Sequence, residues 1–342
     1  MTMDRMDLYN LIYALAARDG REVALFGTCA AAAREAFSRS LTGAAFPELW
    51  FEVPLAGDPW LDLHALVSQE DVAGEVTTFA GHEGVYDAAL AWFSHQQPGA
   101  VRQLALSYDT SAGDVEHPAV QLLVGGRDMS VPLGFLEAAG RADARDSYRS
   151  FVGSMPAPWY ACYVGAFPGR QASGRPSWVR VECIVGDEAQ RSYAADASAL
   201  RAHLAQVGLE DLRGDAVDGM QMLARSPFPL ELQFNVGPDG RALPTVSASV
   251  RFQPSDWMGE EGRAAIAELA RQVRAMCLAD GRVEQLAQTL FAKRVTHEGA
   301  SAVVSCFPAF VKLRWREGAP CDAKAYLLAH AHETTVRAGR QS

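Results

Sequence analysis

Several stretches of this chain place charged or hydrogen-bonding side chains at every second position. Arg180 and Glu182 alternate with Val179, Val181 and Cys183. Glu231, Gln233 and Asn235 alternate with Leu230, Leu232, Phe234 and Val236. Lys312, Arg314 and Arg316 alternate with Val311, Leu313 and Trp315. A period of two is that of a β-strand, so each polar set shares one face and each apolar set the other. Glu52, Gln103, Ser107, Gln121, Ser247, Ser249, Arg251 and Ser305 extend the polar set along further strand-like runs. Carboxylates can take or hold a proton, and Arg and Lys can hold an anion.

The elements that must carry these residues follow from periodicity and breakers. Helical spacing is predicted over 4–18, 23–40, 83–95, from Pro132 to Ala139, through Leu200, His203, Leu204 and Val207 up to Gly208, and over 261–279. Strands are predicted over Glu48–Val53, 102–108, Val120–Val124, Trp159–Phe167 and Ser177–Val185. A hairpin spans Phe228 to Phe252, turning at Pro238-Asp239-Gly240, and a last hairpin pairs Ser301–Cys306 with Ala309–Arg316. A short helix is expected after Gly57-Asp58-Pro59 and a C-terminal helix from about Asp322. Helices and antiparallel strand pairs thus recur four or five times, with no repeat at the level of sequence. No linker divides the chain, so residues 1–342 are expected to form one domain, with N-terminal helices over 1–45 packed outside the repeating part, 46–335.

Composition limits what such a domain does. A chain of 342 residues, 49% apolar, can bury a large core. A net charge of −10 argues against a general nucleic-acid binder, although it leaves room for a small basic pocket. The six cysteines, at 29, 162, 183, 277, 306 and 321, form no C-x-x-C pair and read as reduced thiols. No apolar segment follows Met1–Arg5 as in a signal peptide, and no uncharged apolar run is long enough to span a bilayer; a cytoplasmic protein is expected.

Eight to ten antiparallel strands tend to curl or close, and closure removes exposed edges. With helices covering the apolar faces, the polar faces would line a wet lumen able to hold a ligand. That is the reverse of a parallel α/β barrel, whose interior is packed with branched apolar side chains. An open sheet with one face to solvent fits the same alternation. In that case Arg180 with Glu182, and Arg251 with Glu231, are ordinary ion pairs on the sheet. The two readings differ in whether Arg180, Arg251 and Lys312 face one shared hollow.

The chain resembles the aromatic prenyltransferases of the ABBA, or PT-barrel, superfamily. The resemblance covers roughly residues 46–335. It is carried by Leu49-Trp50-Phe51-Glu52-Val53-Pro54 before Gly57-Asp58-Pro59-Trp60, by Trp178-Val179-Arg180-Val181 before Leu200–Gly208, by Leu230–Phe234 paired with Ser247–Val250, and by Phe310-Val311-Lys312-Leu313-Arg314-Trp315. The chain is also similar to the cyanobactin-type branch that prenylates ribosomal peptides. The resemblance implies an α+β fold, a ten-stranded antiparallel barrel with a polar lumen surrounded by helices. It implies an alkyl transferase that moves a prenyl group from an isoprenyl diphosphate to an aromatic small molecule or a peptide side chain.

Prenyl transfer then assigns roles. Arg180, Arg251, Lys312 and Arg314 are expected to hold the diphosphate, on which negative charge grows as the C–O bond breaks. Tyr160, Trp178, Phe307 and Phe310 would shield the allylic cation and the acceptor. Glu52 and Glu231, with Glu182 next, would orient the acceptor or take its proton. The family spreads basic residues over many strands, whereas Ser301–Phe307 and the Gln121–Leu123 strand carry none. A D-D-x-x-D metal motif is absent, so no protein-held metal is expected, and Mg2+ would accompany the diphosphate. Neither H-E-x-x-H nor G-x-S-x-G occurs, and Gly125-Gly126-Arg127-Asp128 lacks the Lys-Ser/Thr of a phosphate loop. A non-catalytic ligand- or peptide-binding protein is the competing reading.

Overall fold

The computed structural model describes residues 5–18, 20, 48–58, 60–67, 69, 85–97, 101–108, 118–124, 128–168, 178–297 and 300–333. The 23–40 helix and Cys29 of the sequence reading lie outside these residues. Among the described residues there are eleven strands: β1 (Glu48–Pro54), β2 (Asp62–Val67), β3 (Val101–Tyr108), β4 (Ala119–Val124), β5 (Trp159–Ala166), β6 (Val179–Val185), β7 (Leu230–Val236), β8 (Ala242–Arg251), β9 (Phe291–His297), β10 (Ala300–Arg316) and β11 (Ala319–Glu333). Among the described residues the helices are α1 (Arg5–Arg18), α2 (Val85–Ser94), α3 (Ser130–Ala138), α4 (Arg145–Ser154), α5 (Asp187–Ala195), α6 (Ala197–Gln206), α7 (Gly214–Ala224), α8 (Pro254–Met258) and α9 (Glu260–Ala275).

Every strand pairing is antiparallel, and the order runs β1 through β8, then β10 and β11, with β11 returning to β1. The seam runs from Glu48↔His330 to Pro54↔Lys324. Ten strands therefore close a barrel. β9 lies outside the ring, beside the part of β10 that extends past β8. The apolar strand faces point outward into one continuous core with the helices. Phe51 meets Tyr9 of α1 at 6.1 Å between ring centroids, and Phe234 meets Phe151 of α4 at 5.5 Å. The start of β7 is fixed by buried Gln190 of α5, whose Nε2 donates to Phe228 O at 2.8 Å while its Oε1 accepts from Leu230 N at 3.0 Å. That bond places Glu231 one residue later.

Three sequence expectations are corrected. The stretch after Pro59 is strand β2, not a short helix; its alternating Leu63, Ala65 and Val67 are buried. The segment from Asp322 is strand β11, not a helix. Glu317 and Gly318 both have positive φ, 52° and 81°, and Arg316 pairs with Ala319 across them. This two-residue turn sends the chain straight back along β10, and pairing on both sides overrides the helix preference of the alanines. The expected hairpin Ser301–Cys306 with Ala309–Arg316 is one strand, β10, irregular at Pro308–Phe310, where its neighbour changes from β9 to β8. Proline has no N–H to give to a ladder, which suits it to this switch.

Helix α7 comes close against the barrel at Gly219. A Cβ there would lie 2.4 Å from Trp315 Cζ2 and 3.0 Å from Met276 Cε. Trp315 is fully buried on the outer face of β10. In an exposed helix Gly→Ala gains about 1 kcal/mol, but overpacking costs about 1–3 kcal/mol. Gly219→Ala is therefore expected to lower stability in urea denaturation, and Trp315→Phe in the same chain to restore part of the loss.

Candidate functional site

The polar strand faces meet inside the barrel. A cavity of about 340 Å3 is bounded by residues from every strand of the ring, among them Trp50, Glu52, His64, Gln103, Gln121, Tyr163, Arg180, Glu182, Glu231, Gln233, Arg251, Phe307, Phe310, Lys312 and Tyr326. A smaller space of about 50 Å3 adjoins it, bounded by Arg180, Asn235, Ser247, Lys312, Arg314, Asp322 and Lys324. Glu52, Arg180, Gln233, Lys312 and Tyr326 border both, so the two are parts of one lumen. Arg180, Arg251 and Lys312 thus share one hollow, and the open-sheet reading is set aside. The lumen is graded. Along β6, Arg180 borders both spaces, while Glu182 and Ile184 border only the larger one, where Leu66, Leu123, Phe252 and Leu328 add apolar wall.

Of the residues expected from sequence, Glu52, Glu231, Arg180, Arg251, Lys312, Phe307 and Phe310 line the large cavity and Arg314 the small one. Two do not. Tyr160 pairs with Ile184 but is 42% exposed and borders neither space. Trp178 precedes β6, where its carbonyl accepts a 3.4 Å bond from Arg141, and it also borders neither. Backbone irregularities substitute other aromatics. A shift between Ala161 and Tyr163 lets the neighbours Cys162 and Tyr163 both face the lumen. The irregularity at Pro308–Phe310 does the same for Phe307 and Phe310, which a regular strand would point to opposite faces. His64, Tyr163, Lys324 and Tyr326 are among the lining residues that the sequence reading missed. Alternation was the available signal for Lys324 and Tyr326, which are separated and flanked by Ala323, Ala325 and Leu327.

Glu52 is the best supported carboxylate. Its Oε1 accepts from Lys324 Nζ and its Oε2 lies 3.1 Å from His64 Nε2. Since the carboxylate only accepts, Nε2 carries the proton, and in the neutral ring Nδ1 accepts from Ser107 Oγ at 2.6 Å. Burial pushes the Glu52 carboxyl up, but Lys324 and His64 outweigh it and hold the group well below the usual range. Tyr326, pushed well above its ordinary pKa by burial and by Glu52, remains a neutral phenol. Lys324 also stacks over Trp60, 4.5 Å from its centroid.

The cations differ in their commitments. Arg314 is tied to Asp322, with Nε donating at 2.7 Å, and Lys324 is tied to Glu52. Among the described residues Arg180 donates only to the neutral amide of Asn235, at 3.3 Å, and it lies over Phe167 at 4.7 Å. Among the described residues no carboxylate comes within ion-pair distance of it, and burial lowers its pKa. Lys312 is 3.7 Å from Glu182 and 4.9 Å from the Tyr326 ring. The smaller space thus offers two cations not hydrogen-bonded to any carboxylate, an arrangement suited to a multiply charged anion. Among the described residues no three His, Cys, Asp or Glu side chains converge to hold a metal ion.

No family model matches the chain, and no curated protein matches it in sequence. Solved structures do match. The 5-dimethylallyltryptophan synthase from Streptomyces coelicolor is similar with a TM-score of 0.53 at 16% identity, over 95% of this chain and 97% of that one. A 6-dimethylallyl tryptophan synthase gives 0.52 at 14%, and the prenyltransferase PriB 0.51 at 14%, each over 96% of both chains. The chain has the PT-barrel fold of the aromatic prenyltransferases. This PT barrel contains no described helix long and apolar enough to cross a membrane.

Glu231 makes the site's titration testable. Burial and neighbouring Glu182 push its carboxyl up to about 8, from 4.5. Between these values the native state holds a proton that the unfolded chain has lost, so stability falls as pH rises, by at most about 1.4 kcal/mol per pH unit. In thermal melts from pH 5.5 to 8.5, Glu231→Gln is expected to flatten this decline and to melt higher than wild type at pH 8.5.

Proposed function

We propose that this barrel transfers a prenyl group from an isoprenyl diphosphate to an aromatic or other nucleophilic acceptor. The observation that carries the reading is Arg180, a guanidinium inside a closed lumen with no ion-pair partner among the described residues, at the junction of a cationic and an aromatic space. The diphosphate would occupy the smaller space, accepting from Arg180, Lys312, Arg314 and Lys324 and from the Tyr326 hydroxyl. Its allylic carbon would project among Trp50, Tyr163, Phe310 and Tyr326. Ionisation breaks the C–O bond and leaves its electron pair on the diphosphate, whose added charge the cations stabilise. The aromatic faces hold the allylic cation and keep water from it. A new bond forms from the acceptor's electron pair, and the displaced proton passes to Glu52, which is ionised and open to the cavity. Mg2+ would arrive on the diphosphate oxygens.

The acceptor is proposed to be an aromatic ring on a small molecule or a peptide side chain. One feature favours binding without turnover: Glu52 and Asp322 each engage one of the four cations around the smaller space. A single assay separates the readings. The chain is incubated with dimethylallyl or geranyl diphosphate and with tryptophan, tyrosine or a tyrosine-bearing peptide, and diphosphate release and product mass are followed. A mass gain of one prenyl group is expected. Glu52→Gln should lower turnover about a hundred- to ten-thousandfold while donor binding persists, and Arg180→Ala should weaken donor binding. A donor that binds and is never consumed supports the binding-protein reading; a chain that binds no short prenyl diphosphate rules out both its catalytic and its donor-binding roles.

A further inference from the structure

The large cavity carries a second acidic feature, distinct from Glu52. Glu182 on β6 pairs with Gln233 on β7, and Glu231 stands two residues before Gln233, so the acids are diagonal neighbours across the ladder. Both border the cavity, and Glu231 is only 5% exposed. A buried carboxylate is stable when donors satisfy its oxygens. Here the donors stop short. Arg251 Nε lies 3.7 Å from Glu231 and Lys312 Nζ 3.7 Å from Glu182, both beyond hydrogen-bond distance. Gln233 donates to Glu182 at 2.6 Å, but among the described residues no basic group donates a hydrogen bond to Glu231. Burial and the adjacent acid push the Glu231 carboxyl up. Glu52, in the same cavity, has Lys324 and His64 in direct contact. Glu52 is therefore met by basic groups in direct contact, whereas among the described residues Glu182 and Glu231 are hydrogen-bonded by Gln233 and by each other but by no basic group.

We propose that Glu182 and Glu231 form a recognition site for a cationic nitrogen group, a guanidinium or an ammonium, carried by the acceptor. This rests on the prenyl-transfer reading for the presence of an acceptor. A bound cation would displace the proton that burial and Glu182 keep on Glu231, and the two carboxylates, then acceptor-only, would suit the planar fork of a guanidinium or the three donors of an ammonium. Trp50, Phe310, Tyr163 and Ile184 provide apolar wall for the rest of such a molecule. The donor would cooperate. Lys312 borders both spaces, and a diphosphate that engages its ammonium leaves Glu182 with less compensation and a greater affinity for an incoming cation.

Calorimetry on the full chain with dimethylallyl S-thiolodiphosphate tests this. The probes are phenethylguanidine, phenethylamine and the neutral near-isostere 3-phenylpropanamide. At least one cationic probe is expected to bind about tenfold or more tightly than the amide, and the order of the two cations tells guanidinium from ammonium. The Glu182→Gln/Glu231→Gln double variant, checked for folding by circular dichroism, should lose that preference and still bind the thiolodiphosphate. Glu231→Gln alone should reduce it in the same direction. Equal affinity for charged and neutral probes, no binding of either cation, or a preference undiminished in the variants would overturn the proposal. A cation preference in a chain that binds no thiolodiphosphate would instead count against prenyl transfer and leave the acid pair's role standing.

Discussion

An enclosed polar interior has to satisfy its own charges or meet a ligand that does. Taking an ion out of water costs several kcal/mol unless its partners are close and well aimed. The barrel meets this requirement unevenly. Lys324 closes on Glu52 across the seam that completes the ring, and Arg314 on Asp322 across the hairpin of β10 and β11. Arg180 is left with a neutral amide, and Glu231 with a guanidinium that does not reach it. The incomplete pairings lie at different levels of the lumen, one at a cation and one at a carboxyl. A single ion would not serve both, whereas an anionic donor and a second molecule with complementary charge would.

The apolar part of the lumen depends on broken regularity. A strictly alternating strand can present only every second residue inward. The irregularities in β5 and β10 bring Cys162 with Tyr163, and Phe307 with Phe310, to the same side. Aromatic density in the wall is thereby higher than the alternation alone allows, which is what a carbocation kept from water requires. Trp50 and Phe310 lie 5.5 Å apart, and Phe310 and Tyr326 6.2 Å, so rings from β1, β10 and β11 form one connected surface.

Alternation was a strong enough signal to expose the barrel's wet interior in the sequence. Leu230–Val236 and its partner strand read as observed, and Arg180, Glu231, Arg251 and Lys312 face one hollow as that pattern implies. What stayed hidden had local causes. Asp62–Val67 is short, and its polar alternation of Asp62 and His64 stops at Leu66, too brief a pattern for periodicity to assign, so His64 was passed over. Alanine at 323, 325, 329 and 331 suggested helix in a segment that two neighbouring strands hold extended, which concealed Lys324 and Tyr326. The irregularity near Ala161 was invisible, so Tyr160 was expected in the wall where Tyr163 stands.

The seam between β1 and β11 has a bearing on how the molecule comes into being. Glu52 and Lys324 are 272 positions apart. During synthesis the first ribbon must wait, with its backbone edge unsatisfied, until β11 has left the ribosome. Contacts of such long range make assembly slow and leave intermediates prone to pairing with strangers. The helices layered outside the early strands can cover their greasy faces during that interval, but not their edges. Nascent chains of this architecture would therefore be natural clients for a chaperone until the last strand docks.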